Sequence, residues 1–213
     1  MKPDRRTPDK PAHWDSAKRL LARRDPVMGA IMRAHPKVFM VRRGEPFFTL
    51  ARAICGQQIS VKAAQSVWNR FCAVVSVVSP DEVLKVKAKD IRACGFSDRK
   101  CEYIRDLARH FADGKIHVHR WPEMSDEEII AELVEVRGIG RWTAEMFLMF
   151  NLLRPDVFPL GDLGLQKGIQ VVYHRGRKVS LKTMQARGEN WRPWRSVATW
   201  YLWRSLDPVP VEY

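Results

Sequence analysis

The chain has 213 residues, 46% of them apolar and 29% charged, a balance suited to one or two globular domains with a real core. Lys and Arg outnumber Asp and Glu 37 to 24, a formal net charge of +13, which points to a polyanionic partner, nucleic acid before membrane. No apolar run approaches the roughly 18 residues of a membrane helix, and the opening MKPDRRTPDKPAHWD lacks the apolar stretch of an export signal. A cytoplasmic location is therefore expected, nucleoid-associated in a bacterium.

Residues 1–12 hold three prolines and four Lys or Arg and read as a flexible basic tail. From Trp14 onward the pattern is helical. SAKRLLARRD predicts one helix capped by Ser16, and PVMGAIMRAH the next, with Pro26 in its first turn. Phe39 to Pro46 is a connector. PFFTLARAICGQQ places Phe47, Leu50, Ala51 and Ile54 on one helical face, and Gly56 weakens that helix. Ser60 caps VKAAQSVWNRFCAVV, which is expected to bury Val61, Ala64, Val67, Trp68 and Phe71. Pro80-Asp81 opens a short helix, and RKCEYIRDLARHFADG forms another that ends at Gly114. Ser125 with Glu128 is a capping box for a helix running to about Val136. Arg141 to Leu152 is apolar almost all round and predicts a central buried helix. Pro155 and Pro159 break the chain, one more helix follows Asp162, and a Trp-rich helix starts near Pro193. The fold class expected is all-α, with no repeat and no parallel-sheet rhythm.

The cysteines, Cys55, Cys72, Cys94 and Cys101, form no CxxC pair, and the histidines show no ligand spacing near them. Buried reduced thiols are expected, with no disulfide framework and no zinc. No cysteine follows Cys101, so a C-terminal iron–sulfur motif is absent.

The stretch LVEVRGIGRWTAE (Leu133 to Glu145) is the most informative. One helix ends near Val136, another begins near Gly140, and only RGIG lies between them. Gly138 and Gly140 permit dihedrals and close approach that a Cβ would forbid. Ile139 is placed to plug the space between the helices. The second helix then presents backbone N–H groups from Gly140, Arg141 and Trp142, a main-chain anion site that would hold a DNA phosphate without reading a base. Gly138, Ile139, Gly140, Arg141 and Thr143 are the phosphate-binding candidates.

Four blocks in order, AICGQQISVKAA (Ala53 to Ala64), GFSDRKCEYIRDLA (Gly95 to Ala108), VRGIGRWTAEMF (Val136 to Phe147) with DVFPLGDLGLQKG (Asp156 to Gly168), and WRPWRSVATWYLW (Trp191 to Trp203), resemble the helix-hairpin-helix DNA glycosylases, within them the DNA-3-methyladenine glycosylase II branch. The resemblance runs from about Pro46 to Trp203. It implies two helical subdomains with a helix-hairpin-helix motif and a cleft between them: residues 13–46 with 162–213 in one, and 47–161, containing the hairpin 133–145, in the other. The α/β domain that some members carry before this unit is not expected here.

Taken alone, Asp162 is an N-cap. The resemblance makes it the catalytic carboxylate, with Asp156 structural. Breaking an N-glycosidic bond builds positive charge on the deoxyribose, which a carboxylate near C1′ stabilises and whose water it can orient or deprotonate. Bifunctional relatives carry a lysine nucleophile where this chain has Trp142, so the resemblance implies base release without strand cleavage. Lys167 is expected to meet phosphate or solvent. Trp142, Met146 and Trp203 fall at positions that line the flipped-base pocket, and Trp194 and Trp200 read as packing. Met146 replaces an aromatic of some relatives, and Gly161 an acid, which bears on substrate range. Gln58, with Gln57 beside it, matches the wedge that fills the gap left by an extruded base; a polar inter-helix turn is the plainer reading of the pair. The carbonyls of Val134, Val136 and Ile139 match a structural Na+ or K+ site of the family. The implied partner is double-stranded DNA containing alkylated bases, bound by a monomer, with no membrane. A non-catalytic hairpin module for damaged or distorted DNA fits the charge and the hairpin equally.

Overall fold

The computed structural model describes residues 10–207. Among them are twelve α-helices, one short 3-10 turn and no strand. The helices are α1 (Trp14–Arg24), α2 (Pro26–Ala34), α3 (Pro46–Gly56), α4 (Val61–Val75), α5 (Pro80–Lys85), α6 (Ala88–Ala93), α7 (Asp98–Ala112), α8 (Asp126–Val134), α9 (Arg141–Phe150), α10 (Leu163–His174), α11 (Leu181–Glu189) and α12 (Arg195–Leu206). No helix among the described residues is long and apolar enough to cross a membrane.

Capping chemistry sets most of these boundaries. Asp25, Ser60, Ser79, Ser97, Asp162 and Ser180 each accept a backbone N–H from the first turn they precede. Ser125 and Glu128 form the reciprocal capping box of α8. The cap expected at Ser16 is not there. α1 starts two residues earlier, behind His13, and the Ser16 hydroxyl donates to the His13 carbonyl inside the helix. α8 ends at Val134 and α9 at Phe150, each two residues short of expectation. α6 and α11, both short and polar outside, carry too little periodicity to announce themselves.

Of the tail expected over 1–12, residues 1–9 lie outside the described residues. Residues 10–12 are tied down: Lys10 pairs with Asp15, Pro11 is buried, and its carbonyl accepts the N–H of Trp14.

The chain divides into two compact units, residues 43–147 and the described ends of the chain, residues 10–42 with 148–207. These boundaries correct the expected 47–161. Residues 148–161 go with the C-terminal helix because Ser196, Arg192 and Arg195 hold them there. The Ser196 hydroxyl donates to the Arg154 carbonyl at 2.6 Å and accepts from the Val157 N–H at 2.9 Å, while its own N–H reaches the Pro155 carbonyl. Asp156 takes both arms of Arg195 at 2.8 and 2.9 Å, and Arg192 at 2.8 Å, and it also accepts the Arg195 N–H at the start of α12. It is the structural acid anticipated.

The central unit buries Phe47, Leu50, Ile54, Trp68, Phe71 and Ile104, with Trp121 edge-on to Phe147 at 5.3 Å. Val61 does not join this core; at 60% exposure it sits on the solvent side of the first turn of α4. The end-built unit packs Trp14 against Tyr201 and surrounds the buried Asp25 carboxylate with donors: the Met28 N–H, the Tyr173 hydroxyl and the Trp191 indole. Burial and the neighbouring carboxylate push the Tyr173 phenol well above its usual range. Trp200 is core, as expected, edge-on to Phe150, and Trp194 immediately precedes α12 and stacks on His13.

The thiols are all free. Three are buried and Cys72 is half-buried, and burial raises the pKa of each, Cys55 to about 11.

Candidate DNA-binding and base-excision residues

In the central unit, α8 and α9 are joined by the turn 135–140, with Ile139 buried at 4% exposure. Gly138 has φ +87, and a Cβ there would come within 2.2 Å of the Tyr103 ring. Both facts require glycine. Gly140 differs: its φ is not positive, and a Cβ would meet nothing within 4 Å. It faces open space at the start of α9, where the first-turn N–H groups have no intrahelical acceptor. The Arg141 side chain is already engaged. Its guanidinium is forked onto Glu127 and reaches Glu145 at 3.1 Å, which pushes it above an already high range. Thr143 is half-buried in the same turn.

Trp142 corrects the expectation of an all-buried helix: it is 42% exposed on α9. Met146, one turn on, is half-buried on the same face.

The two glutamines separate. Gln58 is exposed with a left-handed backbone, φ +57. Gln57, expected beside it as part of the wedge, is half-buried, and its Nε2 donates to the Gly138 carbonyl at 2.8 Å. Its amide belongs to the hairpin.

No group of three or more His, Cys, Asp or Glu among the described residues could hold a metal ion. The carbonyl set suits an alkali cation in donor chemistry: Val134 ends α8, where carbonyls lose their helical partners and carry partial negative charge. Val136 uses its carbonyl to accept the Ile139 N–H at 3.0 Å, with a second lone pair remaining.

In the end-built unit, Asp162 is the N-cap of α10, half-buried rather than sealed. Its Oδ1 accepts the Leu165 N–H at 2.6 Å and the Trp203 indole N–H at 2.9 Å. Trp203, expected only as a pocket ring, therefore also orients the carboxylate, and it stacks on Phe150 with 20° between planes. A Cβ on Gly164 would lie 3.1 Å from both Asp162 Oδ1 and Trp203 Nε1, so glycine keeps that contact open. Sequence reasoning missed Gly164. Its position two residues after the acid, in DLG, was the available signal. Lys167 is exposed one turn further.

The chain is 36% identical over 170 residues to DNA-3-methyladenine glycosylase 1 of Schizosaccharomyces pombe, covering 78% of this chain and 74% of that protein. The crystal structure of a DNA-3-methyladenine glycosidase from Bacillus halodurans superimposes with a TM-score of 0.84 at 31% identity, covering 90% and 89%. A 3-methyladenine DNA glycosylase of S. pombe in complex with abasic DNA superimposes with a TM-score of 0.75 at 32% identity, covering 92% and 100%. A Bacillus subtilis relative, 33% identical over 188 residues, is spanned over 66% of its length. The profile of the HhH-GPD superfamily of base excision DNA repair proteins matches residues 51–193, and the chain belongs to that superfamily.

Proposed function

We propose that this chain is a DNA glycosylase of base excision repair that extrudes alkylated purines of the 3-methyladenine type and hydrolyses their N-glycosidic bond, leaving an abasic site. The observation that carries it is the Asp162 carboxylate, fixed on one oxygen by a backbone N–H and an indole N–H at the mouth of α10. A carboxylate so held needs no reorganisation as positive charge grows on the sugar, which is where electrostatic catalysis gains most. The relatives named above support the substrate class.

The hairpin amides from Gly138 to Thr143 grip a phosphate of duplex DNA, and Gln58 enters the gap that the flipped nucleotide leaves. Trp142, with Met146 one turn away, offers an exposed indole face to a cationic alkylated base, worth about 0.5–2 kcal/mol over a neutral one. Trp203 offers its own ring beside Asp162. The carbonyls of Val134, Val136 and Ile139 would hold a monovalent cation that screens the phosphate grip. Trp142 stands where bifunctional relatives place a lysine, so no Schiff base forms and the strand stays intact. The protein acts as a monomer.

Incubation with alkylated duplex DNA tests this. The wild type releases 3-methyladenine, the strand breaks only after alkali, and Asp162→Asn loses about 10²–10³-fold in single-turnover rate while still binding the duplex. An Asn variant that excises normally removes the catalytic assignment. Strand cleavage without alkali removes the hydrolase-only reading. Binding to abasic DNA with no release of any lesion base selects the non-catalytic module.

A further inference from the structure

The left-handed Gln58 sits between two fixed points. After it, Ser60 caps α4 through the Ala63 N–H. Before it, Gln57 ends α3 with only a long backbone bond of 3.4 Å to the Ile54 carbonyl, so its side chain does the anchoring: Nε2 donates to the Gly138 carbonyl at 2.8 Å, across 81 residues of sequence. Gly138 is itself immobilised. The Tyr103 ring lies against its Cα, and the preceding Arg137 N–H is taken by Asp106 at 3.0 Å. Asp106 is buried on α7. The phosphate-gripping turn is thus a rigid body, and Gln57 is the hydrogen bond that ties the Gln58 loop to it.

We infer that Gln57 is a positioning residue: it couples strand capture at the hairpin to insertion of Gln58, so that gripping the phosphate sets the depth and timing of the wedge. The inference rests on the reading of Gln58 as that wedge. A left-handed non-glycine residue is disfavoured in a free loop, and the Gln57 amide holds it in place before DNA arrives.

The test uses duplex DNA with a tetrahydrofuran abasic site facing 2-aminopurine, whose fluorescence reports insertion into the gap. Gln57→Leu keeps the bulk and loses the donor; Gln57→Glu keeps the shape and turns the donor into an acceptor. Each lowers the insertion equilibrium about tenfold, the size of one part-buried hydrogen bond, with binding to undamaged duplex within twofold of wild type. In a double-mutant cycle, Gln57→Leu adds nothing to Gln58→Ala, because it acts through that residue. Wild-type insertion in both Gln57 variants, additive effects with Gln58→Ala, or an equal loss on undamaged duplex would each overturn the inference. If Gln57→Leu folds poorly, as its melting temperature would reveal, Gln57→Glu is read alone by the same criteria. A wild type that inserts but releases no base sinks the glycosylase reading and leaves the coupling standing.

Discussion

The hairpin turn and the carboxylate corner hold their candidate functional groups in opposite ways. At the turn the candidate functional atoms are main-chain, and side chains such as Tyr103 and Asp106 act only to fix the backbone. At the corner the candidate functional atoms are a side chain, held by the local Leu165 N–H and by an indole from 41 residues away. A backbone site tolerates little change at its glycines and much at its side chains. A side-chain site inverts that, since a donor it borrows from a distant helix can be removed by one substitution.

The sharpest break in the comparison is Gly138→Ala. The new methyl meets the Tyr103 ring and forces an alanine into positive φ, a cost of about 2–4 kcal/mol from strain and overpacking together. Chemical denaturation reads the loss, and Gly138→Ala with Tyr103→Ala should recover the overpacking part. Gly140→Ala is the control, with open space around its Cβ and no positive φ. It should leave stability within about 0.5 kcal/mol of wild type yet weaken duplex binding several-fold, because the methyl occupies the approach to the α9 amides. Equal destabilisation by both would mean that the turn's glycines serve folding alone.

Trp203→Phe probes the corner with a smaller effect. The ring that stacks on Phe150 is kept and the N–H to Asp162 is lost. A hydrogen bond to a charged group contributes about 1.5–3 kcal/mol, so kcat should fall about tenfold to a hundredfold with KM nearly unchanged. A rise in KM at constant kcat would assign Trp203 to base stacking only. Gly164→Ala should shift the same parameter in the same direction, by displacing the pair it now accommodates.

The same contrast explains what the sequence made legible. RGIG between two helical patterns predicts a tight turn whatever surrounds it, and the buried Ile139 agrees. Asp162 as an N-cap, the Ser125–Glu128 box, the cap at Ser60 and Pro26 in a first turn are local rules that the structure keeps. Contacts that close over long spans were not legible: the Trp203–Asp162 bond, the Gln57–Gly138 bond, and the grip of Ser196 and Arg195 on residues 154–157 that moves a unit boundary. The buried-helix expectation failed at Trp142 because hydrophobic composition identifies the helix but not which residue of its first turn emerges from the core.

The smallest effect separates the two units by pH. All four cysteines lie in the central unit, and burial raises each of their pKa values. The raised phenols, Tyr173 and Tyr201, lie in the end-built unit. For Cys55 the folded value is about 11 against the usual 9.0. Between these limits the unfolded chain has released the proton and the folded chain has not, so folding stability is intact below pH 9 and falls as pH rises toward 11. Tyrosines start from 10.0 and follow later. Amide exchange from pH 8 to 11, corrected for its intrinsic pH dependence, should therefore show α3 and α7 losing protection before α10 and α12. Cys55→Ala should flatten the denaturation slope over pH 9–11 by up to about one proton. If α12 opens first, or if the slope is unchanged without Cys55, thiol burial does not set the alkaline limit of the central unit, and the floor beneath the hairpin is firmer than its buried cysteines imply.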